Sequence, residues 1–287
     1  MLITMLLLML FCSQIGLLSY YYPKKITQRI DFVLSHYPAD EYPKLYPVCP
    51  EKIIRIKNQY LWLNYLCIVI GIGLIINYGI IPEDYKTHLN VLDDIPLLYG
   101  MIQYLPIIFL EVLCYKQLKL MRELYQQSSR SAELQPRRLS DYISTSYIIL
   151  AVVVYLSFIA FEFAINNFSF TQDFIIKLAA VTLANTLFIV MAAVNIYGKK
   201  RDPFQSVENR FKQTKFSIAS FVFISIFMNL YLMMHSWVNI YQYNYAEIMI
   251  NTLYFQIIAL FMLTTLLNSF KVEEINFESY KKDQPTK

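Results

Sequence analysis

The chain has 287 residues, of which 56% are apolar, 16% aromatic and only 16% charged, with a net charge of +4 and a mean hydropathy of +0.39. Soluble globular chains carry roughly 25% charged residues, so this composition excludes a disordered, collagenous or nucleic-acid-binding chain and argues against an ordinary soluble enzyme. Four cysteines in this length do not make a disulfide framework.

A helix that crosses a bilayer needs about 20 mostly apolar residues. Seven segments qualify: 2–20, 60–81, 95–115, 143–165, 174–197, 216–240 and 246–268. None contains Arg or Asp, and the only Lys is Lys177, at an end. Hydrocarbon offers no water to backbone amides, so these must be helices. The predicted fold class is all-α: a seven-helix integral membrane bundle over 1–270 and a cytosolic tail over 271–287. A soluble helical core is the alternative, but seven nearly uncharged runs leave no polar faces to cover it.

The first segment lacks a basic leader, and the stretch around Cys12-Ser13-Gln14 is a poor cleavage signal, so it reads as an uncleaved anchor. Residues 24–37 are amphipathic: Ile26, Ile30, Val33, Leu34 and Tyr37 share a face, with Lys25, Gln28 and Arg29 turned away. That pattern fits a helix lying on the membrane or one packed on the ends of the spans. Pro38, Pro43, Pro47 and Pro50 then forbid a helix and favour an extended polyproline strap. A PxxP match inside it, Pro47-Val48-Cys49-Pro50, follows from proline density alone. Gly71-Ile72-Gly73 in the second span lacks the strand-turn-helix context of a nucleotide fingerprint.

Asp94 with Pro96 in the first turn starts the third span, and Pro106 predicts a kink in it. That helix should extend to about Gln127 and break at Ser128-Ser129. Ser140 or Asp141 is expected to cap the fourth span. Ala160–Ala164 and Ala180–Ala184 are small-xxx-small pairs that would let spans four and five pack closely. Asp202, Pro203 and Gln205 read as a helix start, with Phe204, Val207, Phe211, Thr214 and Ile218 recurring at helical spacing into span six. Asn244 and Glu247 read as a capping box for span seven. Tyr20, Tyr21, Tyr22, Tyr60, Trp62, Tyr78, Trp237, Tyr241, Tyr243 and Tyr245 crowd the span ends, where amphipathic rings sit at headgroup level.

Orientation follows the Lys/Arg bias of the loops. Loops one, three and five and the tail hold 23 of the 25 basic residues; the other compartment holds Lys86 and Lys177. The expected topology has the N-terminus outside and the C-terminus in the cytosol, in a bacterial inner membrane or an equivalent plasma membrane. Basic clusters beside the spans, Arg137 and Arg138 in loop three and Lys199, Lys200 and Arg201 in loop five, are candidates for anionic lipid headgroups, each cation contributing about 1 kcal/mol; they also simply orient the chain.

Polar groups inside a membrane default to functional hypotheses. The candidates are Glu111 near the cytosolic end of span three, Glu162 near the outer end of span four, and His235 in the outer half of span six, with the amides Gln103, Asn185, Asn229 and Gln256. Asn195 and Asn251 are further amides in spans. Interhelical hydrogen bonding accounts for such amides, at roughly 0.6–2 kcal/mol each. The competing reading is a polar cavity lined by Gln103, Asn185, Asn229, His235 and Gln256. Glu111 and Glu162 lie at opposite ends of the bilayer and cannot form an acid pair.

Seven spans with an outer N-terminus suggest a receptor, but Glu111-Val112-Leu113-Cys114-Tyr115 is not Asp-Arg-Tyr, span seven ends Leu266-Leu267-Asn268-Ser269-Phe270 rather than Asn-Pro-x-x-Tyr, and span seven has no Lys for a retinal Schiff base. No HExxH, GxSxG, CxxC or Cys/His metal pattern is present, so an intramembrane enzyme has the least support among the readings, and no cofactor or metal is expected. Short outer loops against long inner ones favour a membrane-embedded scaffold, accessory subunit or sensor acting through cytosolic loops. Its partners would be the lipid bilayer and a cytosolic or membrane protein, not nucleic acid. A small-solute or proton-coupled transporter is the alternative.

Overall fold

The computed structural model describes residues 2–80, 91–124, 137–198, 202–269 and 271–282. Every regular element among them is helical, and seven helices are long and apolar enough to cross a membrane. Helix α1 (Leu2–Gln14) widens into a π-helical stretch (Ile15–Tyr21) and continues as α2 (Tyr22–His36). Pro23 explains the widening: it has no N–H for the carbonyl four residues back, and its ring would collide with that carbonyl, so the chain inserts a wider turn ahead of it. The amphipathic segment is thus an extension of the first span, not a separate surface helix.

Then follow α3 (Pro50–Ile80), α4 (Val91–Leu124), a single turn α5 (Leu139–Tyr142), α6 (Thr145–Ile165), α7 (Gln172–Tyr197), α8 (Val207–Tyr241) and α9 (Asn244–Ser269). Helix α4 runs unbroken through Pro96 and Pro106 as far as Leu124, the last described residue before the gap; the extension expected to Gln127 and the break at Ser128-Ser129 lie outside the described residues.

Two helix starts differ from the sequence reading. Ser144, not Ser140 or Asp141, caps α6 by accepting from Ser146 N, because Leu139–Tyr142 closes on itself with Asp141 Oδ2 accepting from Arg138 N at 3.0 Å, and Ile143 is extended. Ser206 caps α8 by accepting from Asn209 N at 3.2 Å. Asp202 instead closes a local turn, accepting from Phe204 N at 2.9 Å. Thr171 caps α7 by accepting from Phe174 N.

The helices form two lobes. One holds α1 with its π stretch, α3, α4 and α9; the other holds α6 and α7, both packed on α8. The α8–α9 contact joins them. Burial is inverted relative to a soluble protein. Gln14, Asn229 and Asn251 are fully buried, whereas Ile189 is 70% and Val69 65% exposed. Such an outside is stable only in lipid, which costs aliphatic side chains nothing and must be kept from amides.

Two glycines set helix spacing in the first lobe. A Cβ on Gly71 would lie 2.4 Å from the Tyr99 hydroxyl, and one on Gly100 would lie 2.2 Å from the Phe255 ring. The small pairs of spans four and five do not serve that purpose: α6 and α7 touch only slightly, and Ala160, Ala164 and Ala180 are exposed. Each helix packs chiefly on α8.

At the end that carries loops one, three and five, hereafter the basic face, the chain builds a cap. The proline-rich segment is not an extended strap. Glu41 N and Tyr42 N both donate to Pro38 O, a 3-10 turn spans Pro43–Leu45, and Tyr46 OH donates to Tyr37 O at 2.5 Å. Prolines suit turns, which need few N–H donors, and burying Tyr42 outweighs the extended preference. Tyr42, Met121, Val272, Phe277 and Tyr280 form one cluster, flanked by Phe32, Val33, Tyr37 and Phe204. The 3-10 turns Val272–Glu274 and Glu278–Tyr280 bring the tail onto it.

Candidate functional site

The intramembrane candidates separate into three places. In the first lobe, Gln103 is 1% exposed on α4. Its Oε1 accepts from Gln14 Nε2 at 2.8 Å, and its Nε2 donates to Ser19 Oγ at 2.8 Å. The π stretch supplies Ser19, and Gln14 immediately precedes it. Gln256 on α9 donates to Leu10 O at 2.9 Å and accepts from Ser13 Oγ at 3.0 Å. Tyr22 OH and Thr264 Oγ1 lie 2.9 Å apart, and Tyr99 OH donates to Cys67 O at 2.9 Å. Helices α1, α3, α4 and α9 are therefore tied by side-chain hydrogen bonds along much of their length.

In the second lobe the amides bond mostly to their own helix. Asn185 Nδ2 donates to Val181 O and Asn229 Nδ2 to Ser225 O, each one turn back. Ser225 Oγ donates across to Asn185 Oδ1 at 2.5 Å. Asn229 Oδ1 is buried without a hydrogen-bond partner. Asn195 bonds back to Met191 O, and Asn251, on α9, accepts from Tyr231 OH at 2.8 Å.

The third place is the end of the bundle opposite the basic face. Glu162, 1% exposed, sits between Lys177 and Ser236. Lys177 Nζ is 3.2 Å from Glu162 Oε2 and 3.1 Å from Ser236 Oγ, and Ser236 Oγ also donates to Glu162 Oε1. These three come from α6, α7 and α8, so the ion pair closes the second lobe at this end. One residue along α8, His235 Nε2 lies 3.0 Å from Glu247 Oε1 on α9, and Asn239 Nδ2 contacts His235 Nδ1 at 3.2 Å. Glu247, which the sequence reads as a capping partner, sets its carboxylate across to α8 and so bridges the two lobes. A lone acid and a lone lysine fifteen residues apart give no motif, and only the antiparallel α6–α7 hairpin brings them together.

The five residues proposed to line one cavity bond in different places: Gln103 and Gln256 within the first lobe, Asn185 and Asn229 within the second, and His235 at the far end. Glu111 is exposed on α4 and joins none of these groups. Among the headgroup candidates, Lys199, Lys200 and Arg201 lie outside the described residues. Arg137 Nη1 donates to Ile196 O at 2.9 Å, and Arg210 Nη2 to Gly198 O at 2.8 Å, so two guanidinium groups satisfy carbonyls at the C-terminal end of α7, where the helix dipole favours cations. Arg138 is exposed beside them.

On the basic face, the tail is fixed by polar contacts as well as by its buried rings. Tyr280 OH donates to Asp202 Oδ2 at 2.5 Å, Ser279 Oγ donates to Phe204 O at 2.9 Å, and Lys282 N donates to Glu41 O at 3.1 Å. Burial pushes the Tyr280 hydroxyl well above the ordinary tyrosine range, and the neighbouring Asp202 carboxylate adds to the shift. Lys57 and Asp31, 2.6 Å apart, tie α3 to α2 nearby. Sequence reading missed these tail contacts, since no pattern in residues 271–282 marks them as a docking segment. Among the described residues, no cluster of His, Cys, Asp and Glu suits a metal ion.

No protein-family model matches this chain, and no curated protein or solved structure is similar to it.

Proposed function

We propose that this multi-pass membrane protein is a scaffold or accessory subunit, anchored by its seven spans and presenting the basic-face cap to a cytosolic or membrane protein partner. The observation that carries this reading is the cap itself. Segments from loop one, the inner end of α4, loop five and the tail meet in one cluster around Tyr42, Met121, Val272, Phe277 and Tyr280. Unstructured connectors would serve for mere orientation; a folded, multi-segment surface suits recognition. Most intramembrane amides bond to neighbouring helices or to their own helix, which fits a static anchor. In this reading the basic face is cytosolic, in a bacterial inner membrane or an equivalent plasma membrane. Reporter fusions at Glu133 and Asn166 test the orientation; an exported Glu133 reverses it.

The test of the scaffold role is photo-crosslinking in living cells from probes at the exposed cap residues Asp40 and Glu278. A discrete heteromeric adduct is expected, lost when Phe277→Ala undoes the cap. Probes that yield only uncrosslinked monomer overturn the reading. A second reading, a proton-coupled transporter, draws on one observation: the carboxylate of Glu162 is buried beside Lys177 and Ser236, in reach of the opposite face. Proton-driven flux in proteoliposomes that is lost in Glu162→Gln would favour it over the scaffold.

A further inference from the structure

Between α6 and α7 the second lobe leaves a cleft of about 390 Å³, floored by α8. Its walls follow helical spacing: Ile148, Ala151, Val152 and Tyr155 on α6, and Asn185, Ile189, Ala192, Ala193 and Ile196 on α7. Because α6 and α7 meet α8 but scarcely each other, the cleft opens sideways, away from α8. A hydrogen bond of 2.7 Å from Tyr155 OH to Thr182 Oγ1 joins the walls at the inner end. The other end is at the basic face, where Leu139 and Tyr197 form the mouth.

Magnitudes decide what fits. Residues 182–197 of α7 span about 22 Å at 1.5 Å per residue, against roughly 15 Å for one leaflet's share of the hydrocarbon core. Spread over that length, the whole empty space of the cleft, about 1160 Å³, has a mean cross-section of at most about 50 Å², room for a polymethylene chain. A transmembrane helix 10–12 Å across would need about 2,000 Å³ over the same length, so a second helix does not fit. The lining is chiefly apolar, and its polar members are engaged: Tyr155 with Thr182, Asn185 with Ser225. The mouth is cationic. Arg137 is held on Ile196 O, Arg210 on Gly198 O, and Arg138 is exposed alongside; Asp141, the acid of this turn, has its Oδ2 on the Arg138 backbone N–H.

We propose that this cleft binds one acyl chain of an anionic glycerophospholipid from the basic-face leaflet, with the lipid phosphate at the Arg137–Arg138 mouth. The site stands independently of any protein partner. It is tested on the full chain in mild detergent, using phosphatidylglycerol or phosphatidylcholine that carries a photoactivatable diazirine near the chain terminus, with labelled peptides mapped by mass spectrometry. Phosphatidylglycerol should label peptides of α6 and α7 that line the cleft. Filling it with Ala193→Phe or Ala151→Phe should cut that labelling at least fivefold, whereas Leu183→Phe, on the outward face of α7, should leave it intact. Arg138→Glu should remove the preference for phosphatidylglycerol over phosphatidylcholine. If one filling variant fails to fold, the other carries the comparison. Labelling that is unchanged by filling, or equal for the two lipids in the wild type, overturns the proposal. So does a wild-type dimer that the filling variants convert to monomer while lipid labelling persists, because the occupant would then be a second copy.

Discussion

The two lobes use the same side-chain chemistry in different ways. In the lobe of α1, α3, α4 and α9, polar groups reach across: Gln14 and Ser19 to Gln103, Ser13 to Gln256, Tyr22 to Thr264. In the lobe of α6, α7 and α8, Asn185, Asn195, Thr182, Thr186, Ser220 and Asn229 donate to carbonyls one turn back on their own helices. A side chain bonded to its own helix satisfies its donor without holding a neighbour. The first lobe is therefore stitched along its depth. The second is joined at the far end by Glu162 and Lys177, at mid-depth by Tyr155–Thr182 and Asn185–Ser225, and elsewhere leaves a cleft. Polar content alone does not make a rigid membrane bundle; the direction of the bonds does.

The largest effect should come from the far-end ion pair. Lys177→Met strands the fully buried Glu162 carboxylate with only Ser236, and loss of one partner of a buried pair costs about 3 kcal/mol or more. Glu162→Gln should cost markedly less, because the Lys177 side chain is 47% exposed and can turn to water. Reversible unfolding in bicelles, read by steric trapping across α6 and α7, checks the asymmetry; equal losses would mean that Lys177 is as confined as Glu162.

The stitched lobe should respond next. Gln103→Leu removes the acceptor of Gln14 Nε2 and the donor to Ser19 Oγ in one step, leaving the buried Gln14 amide unpaired at a cost of about 2 kcal/mol. Asn185→Leu, on the same trapping assay, should cost under about 0.6 kcal/mol, near the mean for interhelical bonds in membranes. If the two losses match, the contrast between lobes is wrong. Gly100→Ala should cost about 1–2 kcal/mol by overpacking against Phe255, and Phe255→Leu in the same chain should recover part of it.

What the sequence made legible follows the range of the interaction. Hydropathy is additive along a segment, so seven spans emerge from residue counts alone, and the ends at Tyr197, Tyr241 and Ile165 fall within a residue or so of those read. Local caps were harder. Ser140, Asp141 and Ser144 are all competent, and the choice rests on how Tyr142 and Ile143 pack on Ile196 and Ile218. The candidate site was least legible. Gln103 and Glu162 stood out as polar residues in apolar runs, but their partners Gln14, Ser19, Lys177 and Ser236 come from other helices or lie at a span's end. The π stretch that presents Ser19 answers Pro23, a residue that sequence reading places beyond the span. Residues 38–50 show the opposite case: proline spacing favours intrinsic extension, while burial of Tyr42 under the tail decides the conformation.

The basic-face cap gives a modest effect with a defined pH dependence. The Tyr280 hydroxyl is held neutral by burial and by the adjacent Asp202 carboxylate, so its pKa in the docked tail lies above that of the free tail, about 10. A group with a raised native pKa stabilises fully below the ordinary value and loses that contribution as pH climbs toward the native one. Docking should therefore be constant through neutral pH and weaken progressively above pH 10. Tyr280→Phe removes the ionisable group and the hydrogen bond together, costing about 1 kcal/mol at neutral pH, and should flatten this alkaline response. A spin label at Lys282→Cys, in a background without the exposed Cys12, Cys49 and Cys114, reports the release as a gain in mobility. Equal alkaline mobilisation in the wild type and in Tyr280→Phe would assign the transition to other tyrosines and detach Tyr280 from the docking of the tail.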